Sequence, residues 1–252
     1  MSNSDHQLVS RAEIELLISE MSISPLSDKE YSRLISFVNQ IIITDSTLVN
    51  EYGSLYQRRF AALSSKGTDV INDNKDITDT QELIDMILSA ISDFHDYQIK
   101  TSNLDLVQIR FIQTMNTIRG CRSKLRNNKL LLETNLEAFN SLIVSVRKCE
   151  YWITMYLLAG RIKLKQVDAL LALYRNGDRS RIKNAEIEAF VIRCMKVFEE
   201  KLTSLEYTRT ICMQLLASLQ IQIQNNQLTI ETISSVIGAT IPAFENENAL
   251  SY

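Results

Sequence analysis

The sequence predicts an all-α protein, an elongated bundle of long helices with coiled-coil-like packing, and three observations carry that prediction. The chain of 252 residues holds only 6 Gly and 2 Pro against 45% hydrophobic residues. Sheet architectures need tight turns every ten or so residues, and so few chain-breakers cannot supply them. The two prolines, Pro25 and Pro242, stand near the ends, so more than two hundred residues run between them without the ring that disrupts a helix interior. Apolar residues then recur at steps of three and four over most of that span.

The elements follow in order. Ser10 and Glu13 have the spacing of a capping box, and Ile14, Leu17, Ile18 and Met21 follow at helical steps up to Ser24-Pro25. Ser27 and Glu30 repeat the capping box and open a second helix through Ile41. Thr44-Asp45-Ser46 breaks and recaps the chain for a third helix, read from Thr47 past Tyr52-Gly53 to Ile71, with Gly53 permitting a close helix contact. Residues 72–76 read as a polar linker. Asp79 or Thr80 caps a helix whose inner face is Leu83, Met86, Ile87, Ala90, Ile91 and Phe94, and residues 96–103 read either as a loop or as helix.

Val107, Phe111, Met115 and Ile118 lead to Gly120, and Leu132, Leu136, Phe139, Ile143, Val146, Ile153 and Leu157 carry the helical pattern on to Gly160, read as its C-terminal punctuation. A basic helix over 161–176 closes at Asn176-Gly177, and a charged link spans 178–183. The last long element runs Ile187, Val191, Cys194, Phe198, Leu202, Leu205, Arg209, Cys212, Leu216, Leu219, Ile223 and Asn226 without a step other than three or four, and Pro242 follows it. Forty helical residues extend about 60 Å, more than the roughly 46 Å diameter of a sphere of this chain length, hence the expectation of an elongated molecule. Arg209 and Asn226 interrupt the apolar stripe. Arg209 is read as an anion ligand or, more simply, as a buried partner of an acid from the N-terminal third.

The formal charge of −3 is distributed unevenly. Residues 1–100 carry 8 Lys/Arg against 16 Asp/Glu, residues 101–183 carry 15 against 6, and residues 184–252 carry 4 against 8. A basic middle between acidic ends either neutralises itself on folding or faces an acidic partner. The candidate anion or partner residues are Arg119, Arg122, Lys124, Arg126, Lys129, Arg161, Lys163, Lys165 and Arg209. No apolar run reaches the length that spans a bilayer, and the first residues lack the basic and apolar regions of a signal peptide, so the expectation is a cytoplasmic protein. Peripheral membrane contact stays open, and nucleic acid is not expected.

Cys121, Cys149, Cys194 and Cys212 form no CxxC pair and read as small buried hydrophobes. Cys194 and Cys212 share a helix face but stand about 27 Å apart along the axis, beyond disulfide reach. With no glycine-rich phosphate loop, no nucleophile elbow and only His6 and His95 as histidine bases, the sequence predicts neither an enzyme nor a metal or cofactor site.

One resemblance is specific. The stretch Tyr156-Leu157-Leu158-Ala159-Gly160-Arg161-Ile162-Lys163-Leu164 resembles the Y-I-x-A-G-x-x-K-L segment of the TelA (KlaA) toxic-anion resistance family, associated with tellurite resistance. Phe198 to Leu202, then Arg209, Gln214, Gln224-Asn225-Asn226-Gln227 and Ile241-Pro242 are similar in order and spacing to its F-x-x-R-L, R, Q, Q-N-N and I-P positions, and Tyr52-Gly53 with Gln57 is similar to its [FY]-G-x-x-x-Q. The chain departs from the family in lacking a Pro-Gln pair before Gln-Asn-Asn and in carrying Phe244 where Trp is common. The resemblance implies residues 1–43 as an N-terminal helical segment ahead of a TelA-like domain over 44–252. It also implies a role in tolerance of toxic anions and other stresses. No catalytic site comes with it. The expected function is therefore a non-catalytic helical scaffold acting through a protein partner or self-association; the alternative is a module binding anions or acidic surfaces through the basic segment 119–165.

Overall fold

In the computed structural model, which describes residues 9–75, 79–175 and 185–249, every regular element is a helix. The expected all-α class holds. The helices are α1 (Arg11–Glu20), α2 (Asp28–Gln40), α3 (Ser46–Glu51), α4 (Ser54–Lys75), α5 (Asp79–Lys100), α6 (Leu104–Arg175), α7 (Ala185–Ser235) and, after a π-helical turn at Val236–Thr240, α8 (Ile241–Ala249).

The starts follow from local chemistry. Ser10 and Ser27 each accept from the backbone N–H three residues on while Glu13 and Glu30 reach back, closing both expected capping boxes. Asp45 accepts from the N–H groups of Thr47 and Leu48 to open α3, and Asn103 accepts from Asp105 and Leu106 to open α6. Residues 96–100 continue α5.

The interior breakers behave differently from expectation. Gly53 does not lie inside a helix: its φ of +70° ends α3 and admits α4. Gly160 does not end a helix either, because α6 runs unbroken for 72 residues through both Gly120 and Gly160; apolar positions continue in phase on either side and outweigh the propensity cost of one glycine. The predicted linker at 72–75 is the last turn of α4. Gly177, His6 and the charged link at 178–183 lie outside the described residues. Pro242 follows the long element α7, as expected, and stands in the first turn of a further helix, α8. Pro has no N–H and its ring crowds the carbonyl four residues back, and the chain accommodates this by widening the preceding turn so that the Ile241 N–H donates to the Val236 carbonyl.

The chain divides into two units, Met1–Leu63 with Ser145–Gln214, and Ser64–Val144 with Leu215–Tyr252. The first contains the described N-terminal segment. It buries Ile14, Leu17, Leu34, Val38, Phe60, Ile153, Leu157, Phe198, Leu205 and Cys212. The second buries Leu83, Ile87, Phe94, Ile118, Leu125, Leu132, Ile233, Ile241 and Phe244 in one cluster. Most predicted inward positions are buried, but Met86 is 51% and Ile187 49% exposed; the buried line of α5 passes through Ile84 instead. All four cysteines are free thiols, and Cys194 is only half-buried.

Candidate functional site

The chemistry of the first unit gathers where α3, α4, α6 and α7 meet. The break at Gly53 lets the chain approach α7 so closely that a Cβ there would stand 2.6 Å from Leu205 Cδ2, and a Cβ at Gly160 would stand 2.4 Å from Leu202 Cδ2. Two glycines therefore bring three elements into near-backbone contact. Tyr52, one residue before the break, donates its hydroxyl to the Tyr156 carbonyl of α6. Burial, helped by the neighbouring Tyr156, pushes the Tyr52 phenol well above its ordinary pKa and keeps it a donor.

Aromatic rings complete the junction. Tyr52 meets Tyr156 edge-on at 5.0 Å and Phe198 at 5.2 Å, Phe37 stacks on Tyr156 at 5.2 Å, and Tyr56 stacks on Trp152 at 5.6 Å. Arg33 lies over Trp152 and Arg59 over Tyr56, in positions where a cation is attracted to a ring face. Phe37, Tyr52, Tyr56, Tyr156 and Phe198 wall a cleft of about 200 Å³ that Ile42, Leu48 and Leu55 also line. Those three side chains are 51%, 42% and 48% exposed.

Beside the cleft, a polar clamp ties α4 to α7. Lys201 Nζ donates to Ser54 Oγ and to Gln57 Oε1, both at 2.7 Å, and Gln57 Nε2 donates to Ser204 Oγ and Thr208 Oγ1. Burial lowers the Lys201 pKa. Cys149 and Cys212 are buried nearby, and burial, with Cys149 and Glu150 adding repulsion, pushes the Cys212 thiol up to about 12, the condition of an inert structural cysteine. No cluster of metal-ligating side chains occurs among the described residues.

The nine cations singled out in the sequence do not converge. Arg161 pairs with Glu206 through two contacts at 2.8 and 2.9 Å. Arg209 pairs with Glu150 at 3.1 Å and also donates to the Met21 carbonyl. The acid thus comes from α6, and the N-terminal third supplies only a carbonyl. Lys163 is half-buried, with its pKa lowered by that burial, and Lys165 is exposed. In the second unit Arg122 stands 3.7 Å from Glu245 and Lys129 3.9 Å from Glu133, while Arg119, Lys124 and Arg126 are exposed on α6.

Tyr52, Gly53, Gln57, Tyr156, Gly160, Phe198, Lys201 and Leu202 are distant in sequence and meet in this one junction, as a family signature read on three segments would require. The family model described as toxic anion resistance protein (TelA) matches residues 35–252. The chain belongs to the TelA family. No curated protein and no solved structure matches it. In this TelA chain the match begins within α2, so α1 precedes it. The Ile241-Pro242 segment with Phe244 serves the second unit, where Phe244 meets Phe94 at 5.4 Å and Phe111 at 5.7 Å. Sequence reasoning missed Phe37, Trp152 and the Tyr52 hydroxyl as partners, because their contact depends on the α3–α4 break that periodicity does not reveal.

Proposed function

We propose that this TelA chain acts in toxic-anion resistance without catalysing a reaction, as a helical interaction protein whose aromatic cleft receives an apolar side chain of a protein partner. The observation that supports this reading is the cleft itself: a wall of Phe37, Tyr52, Tyr56, Tyr156 and Phe198 with Ile42, Leu48 and Leu55 exposed around it. Aromatic-lined pockets fixed by hydrogen bonds lose little entropy on binding, and such pockets concentrate binding energy at protein interfaces. Capture of a free anion in this unit fits less well, since Arg161 and Arg209 are already neutralised by Glu206 and Glu150.

A photo-crosslinking residue placed at position 48 tests the reading in cells. A discrete crosslinked protein that disappears in an Ile42→Ser, Leu55→Ser background is expected. Recovery of uncrosslinked chain alone contradicts it.

A further inference from the structure

The second unit carries a different surface, and its reading is independent of the cleft. Between residues 106 and 132 the chain contains six cations, Arg110, Arg119, Arg122, Lys124, Arg126 and Lys129, and no acid. This whole stretch belongs to α6, whose inner line Val107, Met115, Ile118, Cys121, Leu125 and Leu132 is buried. The opposite side should be polar if water were its only neighbour. Instead it exposes Leu106 46%, Ile109 53%, Ile112 53%, Leu130 64% and Leu131 54%.

Helical geometry arranges these side chains. Ile112 and Leu130 are five full turns apart at 3.6 residues per turn and share one direction, and Ile109 and Leu131 lie to the same outer side. Arg119 and Arg126, one heptad apart, flank this apolar arc on one edge and Lys124 flanks it on the other. All three are exposed. The arc extends along about 33 Å of helix, with small or amide residues, Asn116, Gly120, Ser123 and Asn127, between its two apolar ends. A Cβ added at Gly120 would meet nothing within 4 Å.

We propose that this outer face of α6, residues 106–131, lies on an anionic lipid bilayer, with the cations at the headgroup phosphates and the aliphatic side chains in the acyl boundary. Exposed aliphatics bounded by Lys and Arg, with Asp105 at the N-terminal end and no acid from there to residue 132, match the chemistry of an interfacial helix. A phosphate backbone of nucleic acid would engage the cations but gain nothing from five exposed aliphatics. A second copy meeting this face with its own would set its three exposed cations, Arg119, Lys124 and Arg126, against the same three. No helix among the described residues is long and apolar enough to cross a membrane, so the contact is peripheral.

Co-sedimentation of the full chain with vesicles of phosphatidylcholine alone, or of phosphatidylcholine with phosphatidylserine, at low and high salt tests the proposal. Binding to the phosphatidylserine vesicles only, and its loss at high salt, is expected. The triple variant Arg119→Gln, Lys124→Gln, Arg126→Gln should bind about a hundredfold more weakly, given about fivefold per cation at an anionic surface. Leu130→Ser with Leu131→Ser should weaken binding to the same vesicles about tenfold or more. All these positions are exposed, so circular dichroism should show unchanged helicity. No binding to phosphatidylserine vesicles at low salt, equal binding to phosphatidylcholine alone, indifference to the leucine pair, or retention by duplex DNA without vesicle binding would each overturn it.

Discussion

Gly120 and Gly160 occupy the same helix, one in each unit, and meet opposite surroundings. A side chain at Gly160 would collide with Leu202 at 2.4 Å, whereas one at Gly120 would meet nothing within 4 Å. The contrast extends beyond the glycines. The first unit is organised by close approach and by polar groups shared between elements: the Tyr52 hydroxyl on a carbonyl, Lys201 and Gln57 in the clamp, Arg209 on Glu150. The second rests on an aliphatic cluster closed by Phe94, Phe111 and Phe244, with the outer face of α6 free to carry cations and exposed leucines. One helix thus serves a junction that tolerates little change and a surface that tolerates much.

The sharpest way to break this contrast is at Gly53. Gly53→Ala forces a left-handed backbone on a residue with a Cβ and drives it into Leu205, so chemical denaturation should show a loss on the order of 3 kcal/mol. The two α6 glycines provide the paired test. Gly160→Ala should destabilise by about 2 kcal/mol through overpacking against Leu202, while Gly120→Ala should stabilise by up to about 1 kcal/mol through helix propensity. Equal effects at the two sites would erase the distinction between the units. Glu150→Gln comes next: the pair with Arg209 is 16% and 24% exposed and Arg209 keeps the Met21 carbonyl, so a loss of about 1.5 kcal/mol is expected from denaturant midpoints.

The smallest effect concerns a helix start. The Ser27 side chain, then its backbone N–H, holds the Glu30 carboxyl below its ordinary range. Ser27→Ala should cost about 0.5 to 1 kcal/mol at neutral pH. Because the folded pKa is depressed, the part due to ionised Glu30 is fully present above the unfolded value and is lost as pH falls through the folded value. The gap between the thermal melts of wild type and variant should therefore narrow in acid to what the Ser27 Oγ cap on the Glu30 N–H contributes.

How far the fold could be read in advance depended on whether its signals were local. Both capping boxes, the Asp45 cap and the buried stripe of α7 from Phe198 to Asn226 follow from residues within a turn or two of one another, and all are present. Gly160 was misread because a glycine that ends a helix and one that admits a neighbouring leucine are the same letter; only the position of Leu202, forty-two residues on, separates them. Arg209 was correctly read as a partnered seam residue but not its acid, since pairing across α6 and α7 depends on the register of two helices. The junction was visible only as a family signature. Its residues were on three separate segments, and nothing short of their packing shows that Tyr52, Tyr156 and Phe198 share one cleft.

The most direct test of the cleft reading is growth under tellurite challenge of a strain lacking the gene, complemented with wild type or with an Ile42→Ser, Leu48→Ser variant of verified folding. Both residues line the cleft and are exposed, so their replacement leaves the core intact. Restored tolerance with wild type and none with the variant is the predicted result. Full tolerance with the variant, or no effect of wild type, would contradict the account.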